Sequence, residues 1–267
     1  MKMKTNIIDN TGKKVSDYDI EILEDIRDDI FKKAVLAERS LFIHNTGANP
    51  LAGKRVSINV SKQRQRYRST YGRSASRVPK KAMWRRGRQL RFVGAFAPGT
   101  VGGRRAHPRK AEKNWLKDMN NKEWLKALKV GLVASMNQKF VVANGQKVPK
   151  TYPFILDNVV EDMNKTKDVK AFLDKVGFNE ELQRTTYRKV RAGKGTMRNR
   201  TYKIKRGPMI VVSSIDKPLL KAARNIRGFE VLTSDVLMVS DFGMSDRPGR
   251  AVIFTKAALE EFMEVFN

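Results

Sequence analysis

The side chains of this sequence best suited to chemistry are its arginines and lysines, and the chemistry they suit is the binding of phosphate. Arg64, Arg66 and Arg68 alternate along one stretch, and Arg85, Arg86, Arg88 and Arg91 crowd another. Guanidinium is a planar fork that meets phosphate oxygens bidentately and stacks on flat rings. Tyr67, Tyr71, Trp84, Phe92 and Phe96 lie among these cations, and aromatic faces stack on bases as well. Eight glycines and four prolines between Gly47 and Pro108 break any sustained apolar period there. This composition suits a segment ordered by RNA better than a solvated linker, which is usually poor in aromatics.

The placement of charge sharpens the reading. From Arg39 to Ala111 there is no acidic residue, while 19 lysines and arginines occupy those 73 positions. A second acid-free window, Arg184 to Arg206, holds 10 more in 23 positions. The other 171 residues carry 26 basic side chains against all 27 acidic ones. Two segments therefore hold the whole of the +28 net charge. Such an excess repels itself unless a polyanion screens it, and the commonest intracellular polyanion is nucleic acid.

Other chemistries find little support. There is no Cys in 267 residues, which excludes disulfides, thiol catalysis and Cys-ligated metals. His44 and His107 bracket the first basic segment, with no carboxylate between them to complete a metal site or a Ser–His–Asp arrangement. Gly193-Lys194-Gly195-Thr196 lacks the full phosphate-loop pattern. Asp235, Asp241 and Asp246 have no defined metal spacing. The start of the chain has no signal-like apolar run, and no stretch approaches the roughly 18 apolar residues of a membrane span, so a soluble intracellular protein with no membrane partner is expected. An RNA-modifying or nucleic-acid-processing enzyme whose α/β body carries the site and whose basic arms hold substrate is the alternative, but no convergent acids, His or cofactor-binding glycine turn support it. A chromatin-like role is disfavoured because neither basic segment shows a recognition-helix pattern.

The nearly neutral remainder must position these segments, and it alternates between helix and strand. Apolar residues at Ile22, Leu23, Ile26, Ile30, Phe31, Val35 and Leu36 predict a helix within Asp19–His44, capped by Asp17 or Asp19. Trp115–Met136 predicts another, broken near Asn120-Asn121. Uninterrupted runs at Phe140-Val141-Val142, Phe154-Ile155-Leu156, Met209–Val212 and Val252-Ile253-Phe254 predict buried strands. Helical patterns follow around Val169–Val176, Leu219–Arg224 and Ala257–Phe266. Met3–Val15 reads as a small hairpin around Asn10-Thr11-Gly12, and Val56–Val60 alternates like an isolated strand. The expected fold is α/β, a mostly parallel sheet flanked by helices, with a long extended basic loop inserted after the first long helix. The expected division is a globular domain of residues 1–45 and 109–267, and a loop of residues 46–108.

Several runs in these segments resemble a known family. Pro50-Leu51-Ala52-Gly53, Ser76-Arg77-Val78-Pro79 and above all Val101-Gly102-Gly103-Arg104-Arg105-Ala106-His107-Pro108 are similar to the extended loop of the universal L-four family of large-subunit ribosomal proteins, in its archaeal and eukaryotic form. Ala34–Arg39, Arg191–Arg198 with Lys205-Arg206-Gly207-Pro208, Ala222–Gly228 and Phe254–Leu259 match the same family. The loop tip, Ser69–Ala75, is poorer in glycine than the family's.

The resemblance implies a structural constituent of the large subunit, not an enzyme. It implies binding to large-subunit rRNA near its 5′ region, a part in early assembly, and a loop that lines the nascent-polypeptide exit tunnel. Implied partners are that rRNA, neighbouring ribosomal proteins (including the other protein of the tunnel constriction) and the nascent chain, with a cytoplasmic location in the ribosome. No cofactor is implied, and structural Mg2+ or K+ would be rRNA-bound. On this reading the candidate rRNA contacts of the first segment are Lys54, Arg55, Lys62, Arg64, Arg66, Arg68, Arg73, Arg77, Lys80, Lys81, Arg85, Arg86, Arg88, Arg91, Arg104, Arg105, His107 and Arg109. Those of the second are Arg188, Arg191, Lys194, Arg198, Arg200, Lys203, Lys205 and Arg206. The loop tip comprises Tyr67, Ser69, Thr70, Tyr71, Gly72, Arg73 and Ser74.

Overall fold

A computed structural model of the chain describes residues 2–21, 25–58, 61, 63–66, 69–72, 74–87 and 89–266. Strands β1 (Lys2–Ile8) and β2 (Lys14–Glu21) open it as a hairpin, followed by helix α1 (Asp28–Leu41). A second hairpin comprises β3 (Lys80–Arg86) and β4 (Gln89–Gly94). Helices α2 (Asn121–Met136) and α3 (Gln138–Ala143) lead to β5 (Phe154–Leu156). Helices α4 (Thr166–Val176) and α5 (Asn179–Thr186) precede a short hairpin, β6 (Lys189–Val190) with β7 (Tyr202–Lys203). The remainder runs β8 (Met209–Val212), α6 (Pro218–Ala223), β9 (Glu230–Thr233), β10 (Gly243–Met244), β11 (Arg247–Pro248), β12 (Val252–Phe254) and α7 (Lys256–Glu264). The chain divides into two compact units, one of Met1–Phe42 with Leu116–Asn267 and the other of Ile43–Trp115.

In the first unit, alternation along buried strands builds two cores. On β8, Met209 and Val211 pack with Phe31 and Val35 of α1, Leu128 and Leu132 of α2, and Leu259 and Phe262 of α7. Ile210 and Val212 instead join Val169 and Phe172 of α4 and Leu219 and Ala222 of α6. Neighbouring β12 splits in the same way, Val252 and Phe254 to the first cluster and Ile253 to the second. Successive side chains of a strand point to opposite faces, so a strand covered on both sides must be apolar throughout. That is why these segments read as unbroken apolar runs. Each such side chain contributes about 1.5–3 kcal/mol relative to exposure.

Strands β12, β8 and β9 pair in parallel in that order, and β5 pairs in parallel with β1. The ladders β1–β2, β3–β4, β6–β7 and β10–β11 are antiparallel. The α/β class is therefore correct; the strands form several small sheets, and a parallel bridge from Leu156 of β5 to Thr255, next to β12, links the two three-stranded ones. The inserted segment, expected as a long extended loop with an isolated strand at Val56–Val60, contains the β3–β4 hairpin.

Three local expectations also change. The helix expected within Asp19–His44 begins at Asp28, Ile20 being buried on β2; its N-cap is Arg27, without a side-chain capping bond, rather than Asp17 or Asp19, and Asp28 and Asp29 occupy its first turn. Of its predicted apolar positions, Ile22 and Leu23 lie outside the described residues. Phe140-Val141-Val142 is helical, within α3: the Asn137 side chain accepts the Lys139 N–H at 3.0 Å, and Val142 is exposed while Val141 is buried. A three-residue apolar run cannot by itself separate a one-sided helix from a strand. The predicted strand at Val56–Val60 is not one at residues 56–58, and Asn59 and Val60 lie outside the described residues.

Candidate nucleic-acid interface

Within the unit Ile43–Trp115, glycine allows separate stretches of backbone to touch. A Cβ added to Gly53 would stand 2.5 Å from the Gly103 carbonyl and the Arg104 nitrogen, and one on Gly103 would stand 2.0 Å from the Ala97 oxygen. Only residues without a side chain fit there. The Ala48 N–H donates to the Arg109 carbonyl at 2.8 Å and the Arg104 N–H to that of Phe96 at 3.2 Å. Both legs of the insert are thus tied together. Strands β3 and β4 pair with a register shift between Ala82 and Trp84, and Met83 and Trp84 are exposed.

The predicted contacts of this segment stand at the surface. Lys54, Arg55, Arg64, Arg66, Arg77, Arg85, Arg86, Arg91, Arg105, His107 and Arg109 are exposed, and Lys80, Lys81 and Arg104 are half-buried. Lys62, Tyr67, Arg68, Arg73 and Arg88 lie outside the described residues. With no carboxylate between Arg39 and Ala111, these cations have no acid within their own stretch to pair with. Several meet rings instead: Arg77 lies 4.4 Å from the Tyr71 centroid and Arg104 5.8 Å from that of Phe96. Tyr71 and Phe96 therefore hold guanidinium groups, a use the sequence did not distinguish from base stacking. At the tip, Gly72 and Ser74 are exposed and Tyr71 is half-buried, but Ser69 and Thr70 are buried. The Tyr71 N–H donates to Ser69 Oγ at 3.1 Å, and that hydroxyl lies 3.2 Å from the Ser61 carbonyl.

The second basic window is a hairpin, which charge alone did not reveal. β6 and β7 pair Lys189 with Lys203 and Val190 with Tyr202. Half-buried Arg191 closes the loop between them by donating from Nε to the Arg200 carbonyl at 3.0 Å, while Thr196 Oγ1 donates to the Arg191 carbonyl at 2.8 Å. Gly193-Lys194-Gly195-Thr196 is thus part of a hairpin loop. Arg188, Lys194, Arg198, Arg200, Lys203 and Lys205 are exposed, together with Tyr187, Val190, Met197, Tyr202 and Ile204.

Arg206 stands apart from the rest of its window. Its guanidinium donates to Glu230 at 2.8 Å, to Asp241 at 3.3 Å and to the Gly243 carbonyl at 3.2 Å. Fully buried Arg250 shares Glu230 at 2.6 Å and donates to the Gly207 carbonyl at 2.8 Å. Burial lowers the Arg250 guanidinium to about 10. Burial would raise Glu230, but Arg206 and Arg250 outweigh it and hold that carboxyl below its ordinary value. Burial wins at Asp241, whose carboxyl is raised. Arg206 is therefore engaged as an internal strut, and its partners, 24 and 35 residues downstream, gave no local signal.

The three aspartates singled out in the sequence do not converge. Asp241 pairs with Arg206 and Asp246 with Arg39 at 2.6 Å. Among the described residues no group of three or more His, Asp or Glu is placed to hold a metal ion, and no helix is long and apolar enough to cross a membrane.

Comparison with known proteins identifies the family. The model of the ribosomal protein L4/L1 family matches residues 20–265. The large ribosomal subunit protein uL4 of Nanoarchaeum equitans is 38% identical over 241 residues, covering 90% of each chain. That of Methanocaldococcus jannaschii is 34% identical over 270 residues, 99% of this chain and 100% of the relative. The uL4 of Archaeoglobus fulgidus is 33% identical over 97% of both. These archaeal relatives are named as ribosomal proteins rather than enzymes. An acid-free insert with exposed cations, a basic hairpin on an α/β body and near full-length similarity lead to one conclusion: the chain belongs to the ribosomal protein L4/L1 family.

Proposed function

We propose that the chain is a structural protein of the large ribosomal subunit and that its two basic segments hold large-subunit rRNA. One observation carries the reading: 19 cations without a single acid between Arg39 and Ala111, most of the described ones exposed. Each phosphate they neutralise releases counterion, so affinity falls steeply with salt. Recognition of paired RNA is by shape, phosphate and 2′-hydroxyl, because the deep groove hides base edges.

On this reading the insert reaches along rRNA, with its tip near Ser69–Ser74 at the wall of the exit tunnel, beside the nascent polypeptide and a neighbouring ribosomal protein. The chain binds near the 5′ region of the rRNA early in assembly and works in the ribosome. It needs no cofactor of its own, any Mg2+ or K+ being held by the RNA. Sedimentation of cell extract through a magnesium-containing gradient at high salt tests the proposal. The chain is expected to co-migrate quantitatively with the large subunit; a predominantly free, slowly sedimenting pool overturns the reading.

A further inference from the structure

We propose that Trp115 is a positioning residue that assembles Arg109 and Lys113 into a preformed clamp for RNA backbone phosphate, an inference resting on the rRNA-binding reading above. The Arg109 guanidinium carbon lies 4.4 Å from the Trp115 ring centroid and the Lys113 ammonium 4.2 Å. The same segment borders a concavity of about 880 Å3 lined by Arg105, His107, Arg109, Lys110, Lys113 and Trp115. Glu112 is the one carboxylate on its wall, against four permanent cations. Arg109, Lys110 and Lys113 are exposed, so a ligand reaches them without opening the fold.

The physical case is one of preorganisation. Long basic side chains lose rotamer freedom when they grip a phosphate, and a ring that already holds them reduces that loss. Two like charges gathered on one indole repel each other, a cost that bound phosphate relieves. Indole is the strongest of the aromatic faces for a cation. The indole N–H is buried with no hydrogen-bond partner among the described residues, so the ring is held by its faces rather than its polar edge. With two cations already against it, the ring serves to place charge. Backbone phosphate is therefore the ligand chemistry that fits.

The test uses the full chain and transcribed large-subunit rRNA over a series of KCl concentrations. The Arg109→Gln/Lys113→Gln double substitution is expected to reduce the slope of log affinity against log salt by about 1.5, the contribution of two phosphates. Trp115→Leu is expected to reproduce that reduction and weaken binding about tenfold at moderate salt, although it removes no charge. Trp115→Phe keeps a cation-binding face and is expected to restore most of the slope. An unaltered slope for the double substitution overturns the clamp, even if Trp115→Leu disturbs the fold of the insert. A wild-type slope for Trp115→Leu, or equal behaviour of the Leu and Phe variants, overturns the positioning role. Loss of salt-dependent rRNA binding by the unaltered chain would instead defeat the rRNA reading itself.

Discussion

The ion-paired cations of the body and the ring-held cations of the insert belong to the same two residue types but are satisfied differently. In the body, Arg184 pairs with buried Glu181, Arg250 with Glu230, Arg206 with Glu230 and Asp241, Arg39 with Asp246 and Lys33 with Glu123. In the insert, Arg77, Arg104, Arg109 and Lys113 lie over aromatic rings, within or beside a stretch that offers no carboxylate. A charge paired inside a protein is part of its architecture. A charge placed on a ring keeps its electrostatic demand and turns it outward. The difference teaches that basic content alone does not mark an interface; the supply of acids around it does.

The largest effect that would sharpen this contrast is expected at Arg250. Arg250→Met removes the buried donor to the Gly207 carbonyl and leaves Glu230 to Arg206 alone, and losing the hydrogen bonds of a buried charged group costs about 3 kcal/mol. Denaturant unfolding should show that loss; a change below about 1 kcal/mol would mean the network is not structural.

Glu161 gives the next effect, and it depends on pH. Burial would raise its carboxyl, but donation from Thr255 Oγ1 at 2.6 Å, the Ser213 N–H and hydroxyl at 3.0 and 2.9 Å, and Lys217 at 3.1 Å holds it below the ordinary 4.5. The folded carboxyl binds its proton less readily than the unfolded one, so its contribution is complete above 4.5 and fades as pH falls through the folded value. Glu161→Gln should therefore cost about 2 kcal/mol at neutral pH, in line with hydrogen bonds to a charged group. The gap from wild type should close in acid. A gap independent of pH would show that the carboxylate's charge contributes nothing.

The smallest effect on stability is expected in the insert. Replacing Lys54, Arg86 and Arg91 together with Gln should move the unfolding free energy by no more than about 0.5 kcal/mol. It should lower the salt slope of rRNA binding by about one for each phosphate contact removed. A large loss of stability would break the comparison, because those side chains would then be holding the fold.

Much of the body was legible because burial on two faces leaves a simple trace. Met209–Val212 and Val252-Ile253-Phe254 could hardly be anything but covered strands, and Val169–Val176 and Ala257–Phe266 carry the helical spacing found in α4 and α7. Short elements were not legible. Phe140–Val142 and the β6–β7 hairpin are decided by a single cap or a few cross-strand bonds, too little to impose a period. Of the candidate interface, the two segments were visible as charge, while the individual roles of Arg191 and Arg206 were not.

Residue order alone determined which stretches lack acids, and hence where positive charge goes unanswered nearby; no fold can add a carboxylate to Arg39–Ala111. It equally determined which runs must be buried on both faces. Only the tertiary structure decided which cations are satisfied, because that depends on side chains brought together from far along the chain. Arg206 meets Glu230 and Asp241 through the packing that also buries Arg250, whereas Arg109 and Lys113 meet one ring and remain exposed.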